Sequence, residues 1–154
     1  MTPFWILIVA GCNGLIVTDT DPFYGPPDPT GSCPPSESEV SNPTIQVDSF
    51  ELDGLDLSMT GEAACLHSDG LTQRLILSNG PQLATVKVSA DAAGSYRLEE
   101  GAASLEVWLD DQIWSADSFS AGELRLGTGY SELSARGELG DSLLNLGLIW
   151  SLDR

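Results

Sequence analysis

The stretch 103-ASLEVWLDDQIW-114 holds the pattern that decides the fold class of this chain. Apolar residues stand at positions 103, 105, 107 and 109, and the positions between them complete an alternation with a period of two. This period is typical of a β-strand with one buried face. A three-residue loop over 110–112 would then turn the chain back into a second strand. The stretch therefore predicts a β-hairpin in which Leu109 lies opposite Ile113 and Trp108 lies opposite Trp114.

The same alternation, interrupted at short intervals by turn residues, continues through the rest of the chain from position 44. It predicts one antiparallel β domain over 44–154, with about eight to ten strands. No segment has the periodicity of an amphipathic helix, so the predicted fold class is all-β, either a β-sandwich or a closed barrel. The final strand, 143–152, is apolar on both faces, which predicts a central position in its sheet or cover on both sides.

Three finer expectations concern which side chains face the interior. Ile45 and Phe50 fall on opposite parities, so a bulge near Ser49 would keep both inside. Residues 115–122 are expected to form a loop. One face of the strand that precedes His67 should be apolar and point into the domain, and it comprises Leu55, Leu57, Met59, Ala63 and Cys65.

Residues 12–43 have a different composition, dense in proline, glycine, serine, threonine and acidic residues. Such a segment has too little apolar surface to form a core of its own. Proline-rich chains instead act as semi-rigid spacers. We therefore expect residues 12–43 to be a disordered tether that precedes the β domain.

An uncharged apolar run over 4–11 precedes Cys12. The run is far shorter than the roughly 20 residues of a membrane-spanning helix, and the small residues at its end suit a signal-peptide cleavage site. Val9-Ala10-Gly11-Cys12 resembles the lipobox of bacterial lipoproteins. The resemblance implies a signal peptide over 1–11 and a lipid on Cys12 that anchors the mature chain in the membrane. The alternative is a buried N-terminal strand, for which residues 13–44 offer no packing partner.

The resemblance has two further consequences. It implies a place in the bacterial cell envelope, with the outer membrane favoured because Asn13 is not the aspartate that retains lipoproteins elsewhere in some sorting systems. With Cys12 lipidated, Cys33 and Cys65 remain of the three cysteines. An even pair in an exported protein predicts a disulfide.

The charge of the chain excludes some classes of partner. Six Lys and Arg against 23 Asp and Glu give a formal net charge of −17. Such an excess argues against nucleic acid and against anionic membrane surfaces, and it favours cationic partners. A single His and the lack of a Cys-x-x-Cys motif leave too few soft ligands for a zinc site, and no cofactor is expected.

The best candidate for ligand contact is Trp108 with Trp114, which as exposed neighbours could stack on a glycan or a small apolar ligand. The opposing interpretation buries them in the core. The run 67-HSDG-70 contains catalytic residue types, but adjacent residues cannot form a catalytic triad, and the run fits a turn. No enzyme activity is predicted. The sequence favours a lipid-anchored envelope protein with a structural or protein-interaction role. The alternative is a ligand-binding module that uses the tryptophan pair.

Overall fold

Apolar side chains at alternate positions give each strand one apolar face, and the fold packs these faces against each other. The computed structural model describes residues 33–152, which form two six-stranded antiparallel sheets. The strands are β1 (Glu37–Val40), β2 (Thr44–Leu52), β3 (Leu55–Asp56), β4 (Thr60–His67), β5 (Thr72–Ser78), β6 (Leu83–Ala90), β7 (Gly94–Arg97), β8 (Ala103–Leu109), β9 (Gln112–Trp114), β10 (Phe119–Leu126), β11 (Ser131–Leu139) and β12 (Ser142–Ser151). The all-β prediction is confirmed, and the architecture is a sandwich.

The two sheets differ in which strands they contain. Sheet 1 has the order β9-β8-β6-β5-β4-β1, and sheet 2 has the order β3-β2-β12-β11-β10-β7. Each sheet therefore ends in two edge strands, which is the feature that distinguishes a sandwich from a closed barrel. Strand β12 lies between β2 and β11, so the central position predicted for the final strand is confirmed.

The core lies between the sheets and is built from alternate residues of both. Strand β12 contributes four buried side chains, Leu144, Leu146, Leu148 and Trp150. Sheet 1 faces them with the buried side chains Leu75, Leu77, Val86, Val88, Leu105 and Val107. Burial of aliphatic side chains of this size stabilises a fold by about 1.5–3 kcal/mol each before the entropy cost is counted. This shared apolar layer is the main source of stability for the domain.

A bulge on β2 allows apolar residues at both odd and even positions of this strand to face the core. Ser49 pairs with Gly147, but Val47 pairs with the next residue, Leu148, which leaves Asp48 as the extra residue. Phe50 and the half-buried Val47 consequently both pack on the core. The predicted bulge near Ser49 is confirmed.

Two further bulges account for wrong predictions, because neither leaves a signal in the alternation. A shift between Gly61 and Ala63 changes the parity of β4, so Ala64 and not Cys65 belongs to the core. A shift between Phe119 and Ala121 interrupts the pattern of β10. That strand begins within the range 115–122 that the sequence assigned to a loop.

Two other predictions about strand boundaries and orientation also need correction. Leu55 was expected to point inward, but it lies in the two-residue edge strand β3 and is 67% exposed. Residues 37–40, within the predicted tether 12–43, form strand β1 and pair with β4. The ordered domain therefore begins before residue 44. The composition of residues 37–40 does not indicate a strand, because an edge strand pairs on one side only and tolerates charged residues.

One buried hydrogen bond links the two sheets across the core. The Nε1–H of Trp150 in sheet 2 donates to Oε1 of Gln73 in sheet 1 at 2.7 Å. Gln73 is 4% exposed and Trp150 is 1% exposed, so neither group can turn to water instead. The amide nitrogen of Gln73 also donates to the carbonyl oxygen of Gly70 at 3.3 Å. Gln73 is thus a buried polar residue that satisfies an indole N–H from the opposite sheet.

Replacement of Gln73 by leucine should destabilise the protein. The substitution keeps the side-chain volume but leaves the indole N–H of Trp150 buried without an acceptor, which costs about 1–3 kcal/mol. Urea unfolding followed by circular dichroism measures the free energy of unfolding. The control is Gln46→Leu at an exposed strand position, which should change it by less than about 0.5 kcal/mol. Equal stability of Gln73→Leu and the unaltered chain would show that the bond contributes nothing.

Candidate functional site

The outer face of sheet 1 carries Cys65 and Trp108, two of the predicted site residues within residues 33–152. Cys65 and Arg74 are register partners on β4 and β5, so their side chains share this face. Trp108 and Thr85 are register partners on β8 and β6 and lie on the same side of the sheet. The core side of these strands carries the alternate residues, among them Leu75.

Cys33 and Cys65 form the predicted disulfide, with an S–S distance of 2.01 Å and a Cα–Cα distance of 5.6 Å. Cys65 is fully buried on the outer face of sheet 1, and Cys33 is half-buried above it. The bond ties the chain just before β1 to the strand that β1 pairs with. Cys12, the predicted lipid attachment site, lies outside the described residues.

An ion pair that the sequence did not predict also holds β1 against sheet 1, close to the disulfide. The Nε and Nη2 atoms of Arg74 donate to Oε2 and Oε1 of Glu37 at 3.2 and 3.3 Å, a bidentate arrangement. The Arg74 and Glu37 side chains are 11% and 5% exposed, so water screens this pair less than it screens a surface pair. The bidentate pair fixes β1 on sheet 1 through a second, noncovalent contact. Sequence reasoning could not find it because residue 37 was assigned to the tether.

Trp108 and Trp114 are not neighbours, contrary to the sequence prediction. Gln112 pairs with Leu109, Ile113 with Trp108, and Trp114 with Val107. The β8–β9 turn thus contains two residues and not three, with Asp110 in the left-handed region at φ 51°. A shift of one residue sends every side chain of a strand to the opposite face. Trp114 is therefore fully buried in the core, and Ile113 takes the outward position beside Trp108.

The two indoles consequently have different surroundings. Trp108 is half-buried on the outer face, and its Nε1–H donates to Oε1 of Glu106 at 2.5 Å. The Nε1 of Trp114 has no hydrogen-bond partner within the described part of the chain. The alternative function, stacking of a glycan or small apolar ligand between paired tryptophans, therefore lacks the pair that it requires.

An apolar row crosses the outer face of sheet 1 at the level of Trp108. Its members are register partners on five adjacent strands, namely Ala63, Ile76, Thr85, Trp108 and Ile113. Ala63 is half-buried, Ile76 and Thr85 are each 2% exposed, and exposure then rises to 44% for Ile113 at the edge strand β9. Ile76 breaks the alternation of its strand in the sequence, and this exception was the available signal for an apolar outer face.

The outer face of sheet 2 has a different chemistry. It presents exposed charged side chains of β10 and β11, including Glu123, Arg125, Arg136 and Glu138. The exposed Arg125 lies 3.8 Å from a carboxylate oxygen of Glu132 on the neighbouring strand. Such a face is typical of an antiparallel sheet that is covered on one side and solvated on the other. The outer face of sheet 1 thus carries an apolar row across five strands, whereas the exposed large apolar side chains of sheet 2 within residues 33–152, Leu55 and Tyr130, lie in or beside different strands.

The run 67–70 is a turn between β4 and β5. The Asp69 carboxylate accepts hydrogen bonds from the backbone N–H groups of Leu71 and Thr72 at 2.9 and 3.0 Å. Its Oδ1 lies 3.5 Å from Nδ1 of His67. Desolvation raises the pKa of Asp69, but the backbone hydrogen bonds and the adjacent His67 outweigh it and lower the pKa below 3.8. These contacts give Asp69 a structural role in the turn.

Other features of the described residues point to no chemistry of their own. A cleft of about 580 Å³ beside β1 is lined by residues 38–42 and 66–68, of which three are serines and one is an asparagine. Within residues 33–152, no group of three or more His, Cys, Asp or Glu side chains could hold a metal ion. The same range contains no helix with the length and apolar character needed to cross a membrane.

Comparison of the chain with models of protein families, with curated proteins and with solved structures finds no match in any of the three. Function must therefore be argued from the chain's own residues.

Loss of the disulfide should destabilise the domain. Bond formation between residues 32 positions apart restricts the unfolded chain by about 3–4 kcal/mol in the loop-entropy model. The Cys33→Ser/Cys65→Ser double variant should lose stability of that order in urea unfolding without reductant. Cys12→Ser is the matched control and should keep the unaltered free energy of unfolding. A double variant as stable as the unaltered chain would contradict the prediction.

The Asp69 turn predicts a pH dependence in the acidic range. A pKa that is lower in the folded than in the unfolded chain stabilises the fold at higher pH, and this stabilisation disappears as the pH falls through the folded-state pKa. The unaltered chain should therefore be more stable than Asp69→Asn near neutral pH. The difference between their free energies of unfolding should become smaller as the pH falls below 3.8, the ordinary pKa of an aspartate. Urea unfolding of both chains across this range provides the measurement, and a gap independent of pH would contradict the assignment.

Proposed function

We propose that this chain is a lipid-anchored protein of the bacterial cell envelope with a structural or protein-interaction role. The single observation that carries the proposal is the pairing of Cys33 with Cys65. Because the chain has three cysteines, this bond leaves Cys12 as the unpaired one. Cys12 is also the residue that ends the lipobox-like Val9-Ala10-Gly11-Cys12. The disulfide thus accounts for Cys33 and Cys65, and the lipobox-like motif separately accounts for Cys12 as the site of lipid attachment.

The compartment follows from the same chemistry. Disulfides persist in oxidising compartments such as the bacterial periplasm and are rare in the cytosol of ordinary bacteria. A disulfide in the β domain therefore fits a chain exported by the signal peptide expected over 1–11. Asn13 after the lipidated cysteine favours the outer membrane over the inner one.

The role in interaction rests on the outer face of sheet 1. The described residues form a two-sheet sandwich whose outer faces are available for contact with a partner. The outer face of sheet 1 places the exposed Ile113 next to the half-buried Trp108, and adjacent apolar side chains at a surface are typical of a place where a partner protein binds. No enzyme activity forms part of the proposal.

The anchor can be tested by the intact mass of the protein extracted from bacterial membranes. We expect a chain that starts at Cys12 and carries acyl groups, with a mass deficit of two hydrogens for the disulfide. The Cys12→Ser variant should lack both the processing and the acyl groups. The matched control is Cys33→Ser, which should retain the lipid and lose the disulfide. An unmodified chain that begins at Met1 would overturn the proposed anchor and location.

A further inference from the structure

The apolar row of sheet 1 is most exposed at its end, on the β8–β9 hairpin. Trp108 and Ile113 are register partners there, and together they form what we call the Trp108–Ile113 strip. Ile113 is 44% exposed, and Trp108 is half-buried. Within residues 33–152, β9 is the last strand on this side of the sheet. The strip is therefore an apolar surface beside an edge strand.

We propose that the Trp108–Ile113 strip binds a positively charged segment of another protein, which places an apolar side chain against the indole and the isoleucine. The proposal deepens the interaction role given above and rests on it, but it does not require the lipid anchor. It specifies the surface, the class of partner and the two kinds of contact involved.

Acidic side chains beside the strip supply the charge complementarity, and they outnumber the basic ones because Lys87, on the same face, is the register partner of the acidic Glu106. Asp110 and Asp111, both exposed, form the turn that joins the strand of Trp108 to the strand of Ile113. Gln82 donates from Nε2 to Oδ2 of Asp110 at 3.0 Å, which orients that carboxylate. A segment that carries lysine or arginine next to its apolar residue would meet these carboxylates at the rim of the contact. Complementary charge raises association rates and selects against acidic competitors.

The same electrostatics disfavour the other possible occupants. A second copy of this chain also has a net charge of −17 and would be repelled. Residues 13–32 of the chain contain Asp19, Asp21 and Asp28 but no lysine or arginine, so they offer no cation for the rim. An anionic membrane surface is repelled for the same reason. A basic segment of a different protein is the occupant that the charges favour.

The indole of Trp108 provides a preorganised anchor for the apolar contact. Its N–H is already bonded to Glu106, which fixes the ring on the sheet surface. Tryptophan is enriched among the residues that dominate binding energy, because a large ring with few rotatable bonds loses little entropy on contact. Ile113, on the adjacent strand, extends this surface to the sheet edge. The pair can therefore hold one aliphatic or aromatic side chain of the partner.

The test uses the full chain in non-ionic detergent at near-physiological salt. The probe is a fluorescently labelled short peptide of alternating lysine and isoleucine, whose binding is followed by anisotropy. Ile113→Ser should weaken binding about tenfold, because it removes the apolar contact and leaves the charge unchanged. The matched control is Leu55→Ser, the same kind of change at a residue that is 67% exposed on sheet 2. This control should change the affinity by less than about twofold.

A second pair of variants measures the contribution of the Asp110 and Asp111 charges to peptide binding. Asp110→Asn/Asp111→Asn should weaken binding about fivefold at low salt and should reduce its salt dependence. Asparagine tolerates the left-handed backbone of Asp110, so the turn is kept. Asp91→Asn/Asp141→Asn removes two exposed acidic groups elsewhere and should have a smaller effect. Unchanged thermal unfolding of all variants would show that they fold.

Three results would overturn the proposal. The first is no detectable binding of the peptide. The second is an equal loss in Ile113→Ser and Leu55→Ser, which would assign the binding to net charge alone. The third is a dimer in sedimentation that Ile113→Ser dissociates, which would make a second copy the occupant. None of these measurements depends on acylation of Cys12, so failure of the strip and failure of the membrane anchor are distinguishable.

Discussion

The burial of strand β12 is the constraint on which the rest of the structure depends. Its inward residues, from Leu144 to Trp150, are 3% exposed or less. A central strand of this kind needs a neighbour on each side for its backbone and a second layer for its apolar face. Strands β2 and β11 supply the neighbours, and sheet 1 supplies the layer. The hydrogen bond from Trp150 to Gln73 then connects the two layers at a defined position.

The sequence allows the fold class to be predicted, because burial against a second sheet imposes the period of two on most strands. The sequence does not show for every side chain which face of its sheet it occupies, because a bulge adds one residue to a strand without changing the composition of that strand. The bulge near Ser49 was predicted only because apolar residues flank it on both parities. The bulge between Gly61 and Ala63 is not flanked by apolar residues on both parities. The sequence therefore predicts the wrong orientation for Cys65. The disulfide was still predicted, since it depends on the count of cysteines and the expected compartment.

The outer face of sheet 1 could be predicted only in part. Ile76 showed that an apolar residue points outward, but the register that aligns it with Thr85 and Trp108 is a property of three strands together. The position of strand β1 was even harder to predict, because besides its pairing with β4 it is held by two side-chain contacts with residues far along the chain. These are the disulfide to Cys65 and the ion pair between Glu37 and Arg74. Long-range contacts of this kind leave no periodicity in the segment that they fix.

The length of one turn decides which chemistry the β8–β9 hairpin presents. A three-residue loop would have placed two indoles on the surface, an arrangement suited to stacking against a sugar ring. The two-residue turn at Asp110 and Asp111 instead buries Trp114 and exposes Ile113. An isoleucine beside one indole is a nonpolar surface with a single hydrogen-bond donor, and Glu106 already accepts that bond. With one indole in place of two, the strip lacks the stacking platform suited to a sugar ring, whereas it suits an apolar side chain of a protein. The register of a three-residue edge strand thus removes the surface suited to a glycan, which was the alternative, and leaves one suited to a polypeptide.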